Sequence, residues 1–157
     1  MHARETINTQ FGFTLIELVV TLLIIGVLSI SLLIRWSPED QSLPAQADQF
    51  ARILQHAQAL AMGQGRSLTL DVQSATTYAI TDGTSATPIR DPSGEQQSYA
   101  LVNGVTLSGP DLEFDSLGRP INTGSLITST QSWTLSGANN TSSVSIAPVT
   151  GFMTVTP

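Results

Sequence analysis

The chain has no cysteine and no lysine, only two histidines, and charged side chains at just 11% of its 157 positions. Each shortage closes something off. Without cysteine there is no disulfide framework, no thiol nucleophile and no thiolate metal site. The compartment stays open, because exported proteins also fold without disulfides. Without lysine, six arginines stand against twelve acids and the net charge is −6. Nucleic-acid binding rests on clustered cations that displace counterions from phosphates, so this balance argues against that partner. Of the histidines, His2 sits at the extreme N-terminus and His56 on the polar side of an expected helix. No G-x-S-x-G, H-E-x-x-H or phosphate-binding loop occurs, and the many serines and threonines have no base to form a triad. The sequence therefore reads as non-enzymatic, with no catalytic residue, cofactor, metal or small-molecule substrate.

What the chain has in quantity is apolar sequence near its start. From Phe13 to Ile34 there are 22 residues, and Glu17 is the only charge among them. As a helix this run is about 33 Å long, enough for a hydrocarbon core of roughly 30 Å. A cleavable secretory signal has a shorter apolar region ending in small residues of the A-x-A kind, and "SISLLIRW" offers no such end. A buried core helix of this length needs a larger protein around it. A single-pass anchor fits better, with Arg35 and Trp36 suited to the membrane interface.

A plain anchor does not account for Glu17. A charge at the centre of a membrane helix costs about 2.5–3.5 kcal/mol, and less near an end, so a partner is expected. The polar leader "MHARETINTQFG" ends in Gly12. Cleavage after Gly12 makes Phe13 a new amino terminus one helical turn from Glu17. Because helical side chains lean toward the N-terminus, pairing within one chain is awkward, and the amine of a neighbouring chain is an equally good partner.

"GFTLIELVV" resembles the class III leader and N-terminal helix of type IV pilins and type II secretion pseudopilins. The resemblance implies that a prepilin peptidase cuts between Gly12 and Phe13 and methylates Phe13. It also implies that Glu17 pairs with the amine of an adjacent subunit during assembly. The leader carries a single arginine, Arg4, offset by Glu5, where such leaders are often more basic. The apolar run lacks the proline that major pilins often have there, which tilts the reading toward a minor subunit.

Beyond the run, "SPEDQSLPAQ" (37–46) carries two prolines and reads as a linker or kink. "ADQFARILQHAQALAM" follows with helical periodicity, placing Phe50, Ile53, Leu54, Ala57, Leu60 and Ala61 on one stripe, and "GQG" (63–65) stops the helix. After Arg66 come short β-like runs separated by Gly, Pro, Asn and Asp clusters. Residues 82–97 are the expected mobile surface loop. The organisation is thus a leader (1–12), a transmembrane and assembly helix (13–36), the linker (37–46) and a globular domain (47–157). The fold class is α+β, a long N-terminal helix whose first half inserts in the membrane, followed by an antiparallel β-sheet domain.

The globular part adds to the resemblance. "FARILQHAQALAMGQGRSLTLDV" is similar to the helix-to-first-strand segment of the GspH/FimT group of minor pilins and pseudopilins. "LEFDSLGRP" resembles that group's F-x-x-x-G turn, through Phe114 and Gly118, and "VSIAPVTGFMTV" its closing hairpin, with Gly151 in the turn. "FDSLGRP" and "PVTGFM" also resemble the MSHA-type pilus branch. These likenesses imply a pilin-like fold and a minor structural subunit that initiates or caps a type IV pilus or a type II secretion pseudopilus. They further imply a single-pass protein of the bacterial inner membrane with a periplasmic globular domain, whose partners are the peptidase and other pilin or pseudopilin subunits.

Two further groups need weighing. Asp111, Glu113 and Asp115 alternate in "DLEFD"; on a strand they share one face. That is either a hard-cation site of the calcium type or a solvated sheet face, and the solvated face is the simpler account. The rival function is a tip module binding DNA or a surface ligand. It would use Arg52, Arg66, Arg90 and Arg119, or the aromatic rings of Tyr78, Tyr99 and Trp133, for which a place in the core is the simpler account.

Overall fold

The computed structural model describes residues 14–33, 38–83, 85–90, 93–95 and 98–157. The chain divides into two units, Met1–Trp36 and Ser37–Pro157. Gly12 and Phe13, with the rest of the leader, lie outside the described residues.

In the first unit, α1 spans Leu15–Leu33. Its start is set by Thr14, whose carbonyl accepts from the Leu18 N–H at 3.2 Å and whose hydroxyl accepts from the Glu17 N–H at 3.3 Å. Thr14 is thus the N-cap. The helix is apolar apart from Glu17 and a few hydroxyls, and two of these turn back on its own backbone: Thr21 donates to the Leu18 carbonyl and Ser29 to that of Ile25. Neither needs an outside partner. Among the described residues no helix is long and apolar enough to cross a membrane. The nineteen residues of α1 rise about 28 Å, just under a hydrocarbon core of roughly 30 Å. The apolar sequence continues at both ends into Phe13 and Ile34, outside the described residues.

In the second unit, α2 runs from Pro38 to Gln64. Residues 38–46 are therefore helical, where the sequence suggested a linker or kink. Pro38 sits in the first turn, where a missing N–H costs nothing, and Glu39 and Asp40 face the positive end of the helix dipole. Leu43, Gln46 and Ala47 continue the buried stripe of Phe50, Ile53, Leu54, Ala57 and Ala61 upstream. The burial of Leu43 and Ala47 outweighs the local preference of Pro44, which lies on the exposed side. Leu60, expected on the stripe, is only half-buried. Gly65, at φ +61°, ends the helix, and the Arg66 N–H closes on the Ala61 carbonyl.

The strands are β1 (Leu68–Asp71), β2 (Thr77–Asp82), β3 (Ser85–Pro88), β4 (Tyr99–Ala100), β5 (Thr106–Ser108), β6 (Leu112–Phe114), β7 (Pro120–Asn122), β8 (Ser125–Leu126), β9 (Gln131–Ser136), β10 (Thr141–Ile146) and β11 (Met153–Thr156). They form a larger sheet in the order β3-β2-β1-β6-β7-β8, with β4 also on β2, and a smaller one in the order β11-β10-β9-β5. Every pairing is antiparallel. β3 lies inside the expected mobile loop: its partner β2 holds it through the Thr81–Pro88 and Asp82–Ser85 pairs, and the Ile89 N–H donates to the Ile80 carbonyl at 2.8 Å.

α2 packs against β1 and β6 of the larger sheet and β9, β10 and β11 of the smaller. Leu68, Leu70, Leu112 and Phe114 meet it from one sheet, and Trp133, Leu135, Val144 and Ile146 from the other. Phe50 stands between them, edge-on to Tyr78 at 5.0 Å and to Trp133 at 5.7 Å. Burying such a side chain contributes about 1.5–3 kcal/mol. One helix thus joins two small sheets that share no strand pairing among the described residues.

Candidate assembly site

The acid that the sequence singles out occupies a definite place. Glu17 is the third residue of α1 and Thr14 its cap, the T-x-x-E spacing of a capping box. The Glu17 N–H bonds to both the hydroxyl and the carbonyl of Thr14, at 3.3 and 3.1 Å. A carboxylate in the first turn also faces the positive end of the helix dipole, which lowers the cost of a charge in apolar surroundings. Both bonds are made by the Glu17 backbone; what its carboxylate adds locally is a charge at the favourable end of the helix dipole, beside the intersubunit role implied by resemblance. Around it Leu15, Ile16, Leu18, Val19, Val20, Leu22 and Leu23 are exposed. A surface of this kind is covered by lipid or by other apolar helices.

In the second unit, polar side chains of α2 fasten the loops. Asp40 accepts from the backbone N–H groups of Asn139 and Asn140 and from the Asn139 side chain, each at 3.1 Å. The Asn139 backbone bond, chiefly, holds its carboxyl below the usual carboxylate range, with the Asn139 amide and the Asn140 and Ala138 N–H groups adding to the effect. Gln46, buried, donates to the Val102 carbonyl and accepts from the Val102 N–H. Gln58 donates to the carbonyls of Gly118 and Thr150, at 2.8 and 3.1 Å, so one amide ties together the turns at 115–119 and 147–151. Both turns need glycine. Gly118 and Gly151 have φ of +73° and +68°, and an added methyl would strike Met62 at the first and Gln58 at the second.

The acidic triplet does not come together as a cation site. Leu112 and Phe114 point into the core and Glu113 outward, as alternation requires. Asp111 and Asp115 instead flank the strand, and each binds backbone. Asp111 accepts from the Val72 N–H at 2.9 Å. Asp115 accepts from the N–H groups of Leu117 and Arg119 and pairs with the Arg119 guanidinium at 2.7 Å. Burial pushes the Asp115 carboxyl up, but the Arg119 side chain and these backbone donors more than offset it, and the net position is below the usual range. Among the described residues no three His, Asp or Glu side chains are placed to hold a metal ion.

The arginines are dispersed in the same way. Arg66 pairs with Asp82, Arg90 donates to the Gly94 carbonyl, and Arg119 is held by Asp115. Trp133 and Tyr78 are buried in the core rather than displayed. Burial raises the Tyr78 hydroxyl far above its ordinary value, and the adjacent Tyr99, stacked at 5.2 Å, adds to the rise.

Sequence reasoning missed Asp40, Gln46 and Gln58 as fasteners. Glutamine on a helix reads as solvent-facing, and the only signal was that position 46 falls on the extended apolar stripe, three and four residues from Leu43 and Phe50.

Residues 7–33 match the model of the prokaryotic N-terminal methylation motif. Two crystal forms of the type IV minor pilin FimU of Pseudomonas aeruginosa (strain PAO1) resemble the chain in structure. One, in space group P21, has a TM-score of 0.55 at 17% identity, over 76% of this chain and 91% of that one. The other, in P65, has a TM-score of 0.52 at 17% identity, over 73% and 93%. At that identity the likeness establishes the fold. No curated protein sequence matches the chain. The chain thus carries a prokaryotic N-terminal methylation motif at its start and a fold like that of a type IV minor pilin.

Proposed function

We propose that this chain is a minor pilin or pseudopilin, a structural and non-enzymatic subunit that helps initiate or cap a type IV pilus or a type II secretion pseudopilus. The observation that carries the reading is the combination of a methylation motif over residues 7–33 with a globular domain that folds like a type IV minor pilin. The leader 1–12 is removed between Gly12 and Phe13, Phe13 is methylated, and residues 13–36 hold the subunit in the bacterial inner membrane with the domain in the periplasm. The apolar helix then moves from lipid into the filament core. Its surface is hidden in both places, so the transfer need not pass through water. Glu17 meets the amine of a neighbouring subunit and sets the axial register.

The test is the intact mass of the protein purified from its native membrane. The expected species begins at Phe13 and carries one methyl group. A chain still beginning at Met1 would reduce the apolar segment to an anchor and remove the main support for the reading.

A further inference from the structure

The two ends of α2 differ in character. At its first turn lie Glu39 and Asp40, with the Asn139–Asn140 turn bonded to Asp40 and Gly104 packed against the Glu39 carboxylate. Val102 is the one large apolar side chain exposed there among the described residues. At the other end, about 33 Å away along the helix axis, Gln58 gathers the turns at 115–119 and 147–151. Those turns and the last turns of α2 display Phe152, Leu117, Val149 and Met62, which are 70, 63, 54 and 51% exposed. The segments touch: a methyl on Gly118 would meet Met62, and one on Gly151 would lie 3.3 Å from the Gly118 carbonyl. Val149 sits at φ +66°, a conformation that a β-branched residue adopts only under constraint. A polar residue or glycine would serve an exposed turn tip more readily, so the turn holds an apolar side chain outward at a conformational cost.

We infer that this apolar knob, Met62, Leu117, Val149 and Phe152, is a docking surface for the globular domain of a different pilin-type subunit, one that presents an uncharged apolar face. Two observations select that occupant. The four side chains expose about 400 Å² together, taking ordinary side-chain areas of roughly 150–200 Å². A free-standing interface needs about 800 Å² per partner. The knob is therefore too small to hold a dimer in solution on its own. The opposite end of the domain is polar and acidic, so a second copy stacked head to tail would set the knob against Glu39 and the Asn139–Asn140 turn. Self-stacking of that sort builds a homopolymer, and the mismatch disfavours it. A subunit whose two ends do not complement each other belongs where one kind of chain meets another. This inference rests on the minor-pilin reading.

The chain has no cysteine, so Ser116→Cys, exposed beside Leu117, introduces a unique thiol next to the knob and leaves its four side chains intact. Full-length protein in its native envelope is labelled there with a benzophenone maleimide and irradiated, beside Gln41→Cys at the acidic end. The expected result is an adduct between position 116 and a pilin-type polypeptide of different sequence, identified by mass spectrometry and not obtained from position 41. The double variant Leu117→Ser, Phe152→Ser should reach normal membrane levels, since both side chains are exposed, but fall about tenfold or more in the sheared filament fraction. An adduct to a second copy, adducts to lipid alone, or none from a processed chain present in filaments would each overturn the docking surface while leaving the minor-pilin reading intact. A chain that is unprocessed and absent from filaments would overturn that reading, and the docking surface with it.

Discussion

The side chain of Gln46 forms a two-bond ladder with the backbone of Val102, its amide donating at 3.1 Å to the carbonyl and its oxygen accepting at 2.9 Å from the N–H. It pairs with the loop as a neighbouring strand would. The amide also donates to the Ser42 hydroxyl one turn earlier on α2, which fixes its rotamer.

Gln46→Ala should therefore cost more than an ordinary helix-surface change. Both bonds are lost and two polar backbone atoms are left against the buried side of α2. Net bond contributions of roughly 0.5–1.5 kcal/mol each, with some desolvation penalty, suggest a loss of about 2–3 kcal/mol. Urea unfolding of the full chain in detergent would measure it. A change under about 0.5 kcal/mol would mean that water replaces the amide without cost.

Pro44 makes the opposite prediction. It lies inside α2 on the exposed side, where it cannot donate to the Asp40 carbonyl and its ring crowds that group. Pro44→Ala removes little packing and restores the bond, so stability should rise by about 1–3 kcal/mol, the upper figure being the full helix-interior penalty of proline. No gain in the same unfolding experiment would show that the helix is already adapted to the ring.

Gly109 sits against the face of Trp133, and an added methyl would fall 2.2 Å from Cδ1 of the indole. The indole cannot step aside easily, being wholly buried and bonded through Nε1 to the Pro110 carbonyl at 2.8 Å. Gly109→Ala should destabilise the domain by about 1–3 kcal/mol, as overpacking does, and shift the emission of a tryptophan now fixed in an apolar site. An unchanged spectrum and stability would contradict this packing.

Acid should loosen the turn at 115–119. The Asp115 carboxyl lies below its ordinary value in the folded state, so it contributes stability that is present above about pH 4 and is lost as pH falls through the lowered folded value. Asp115→Asn should flatten the acid limb of a stability-against-pH curve. Asp40, also lowered, contributes with the same sign, and the double replacement should flatten the limb further. An acid limb unaltered by both changes would place the titrating groups elsewhere.

Much of this fold can be read from composition and period. The stripe from Phe50 to Ala61 and the strands around Leu70, Phe114, Trp133 and Val144 follow from helical spacing and alternation, whereas the turns at Gly118 and Gly151 are implied by resemblance to the GspH/FimT group. Three things did not follow, each for a tertiary reason. Residues 38–46 are helical because Leu43 and Ala47 find a core to enter, which local proline signals cannot foresee. β3 exists because β2 offers it an edge, and its Ser-Ala-Thr-Pro sequence has no pattern of its own. The carboxylates of "DLEFD" part company because the strand covers only Leu112–Phe114, so Asp111 and Asp115 turn to nearby N–H groups.

At the start of α1, Glu17 combines two roles that substitution can separate. Glu17→Val removes the carboxylate from the first turn and any pairing with a neighbour's amine. Glu17→Gln removes the charge but keeps a side chain able to accept a hydrogen bond in the T-x-x-E frame with Thr14. If the acid serves only to start the helix, Gln should behave almost as Glu does, since capping and dipole effects there are worth roughly 0.3–1 kcal/mol. If it meets an amine of an adjacent subunit, Gln and Val should fail alike in filament incorporation while membrane insertion and cleavage after Gly12 continue. The measurement is the ratio of processed protein in the sheared filament fraction to that in the membrane, for the three side chains in parallel. Equal ratios for Glu and Gln would leave Glu17 a helix cap and nothing more.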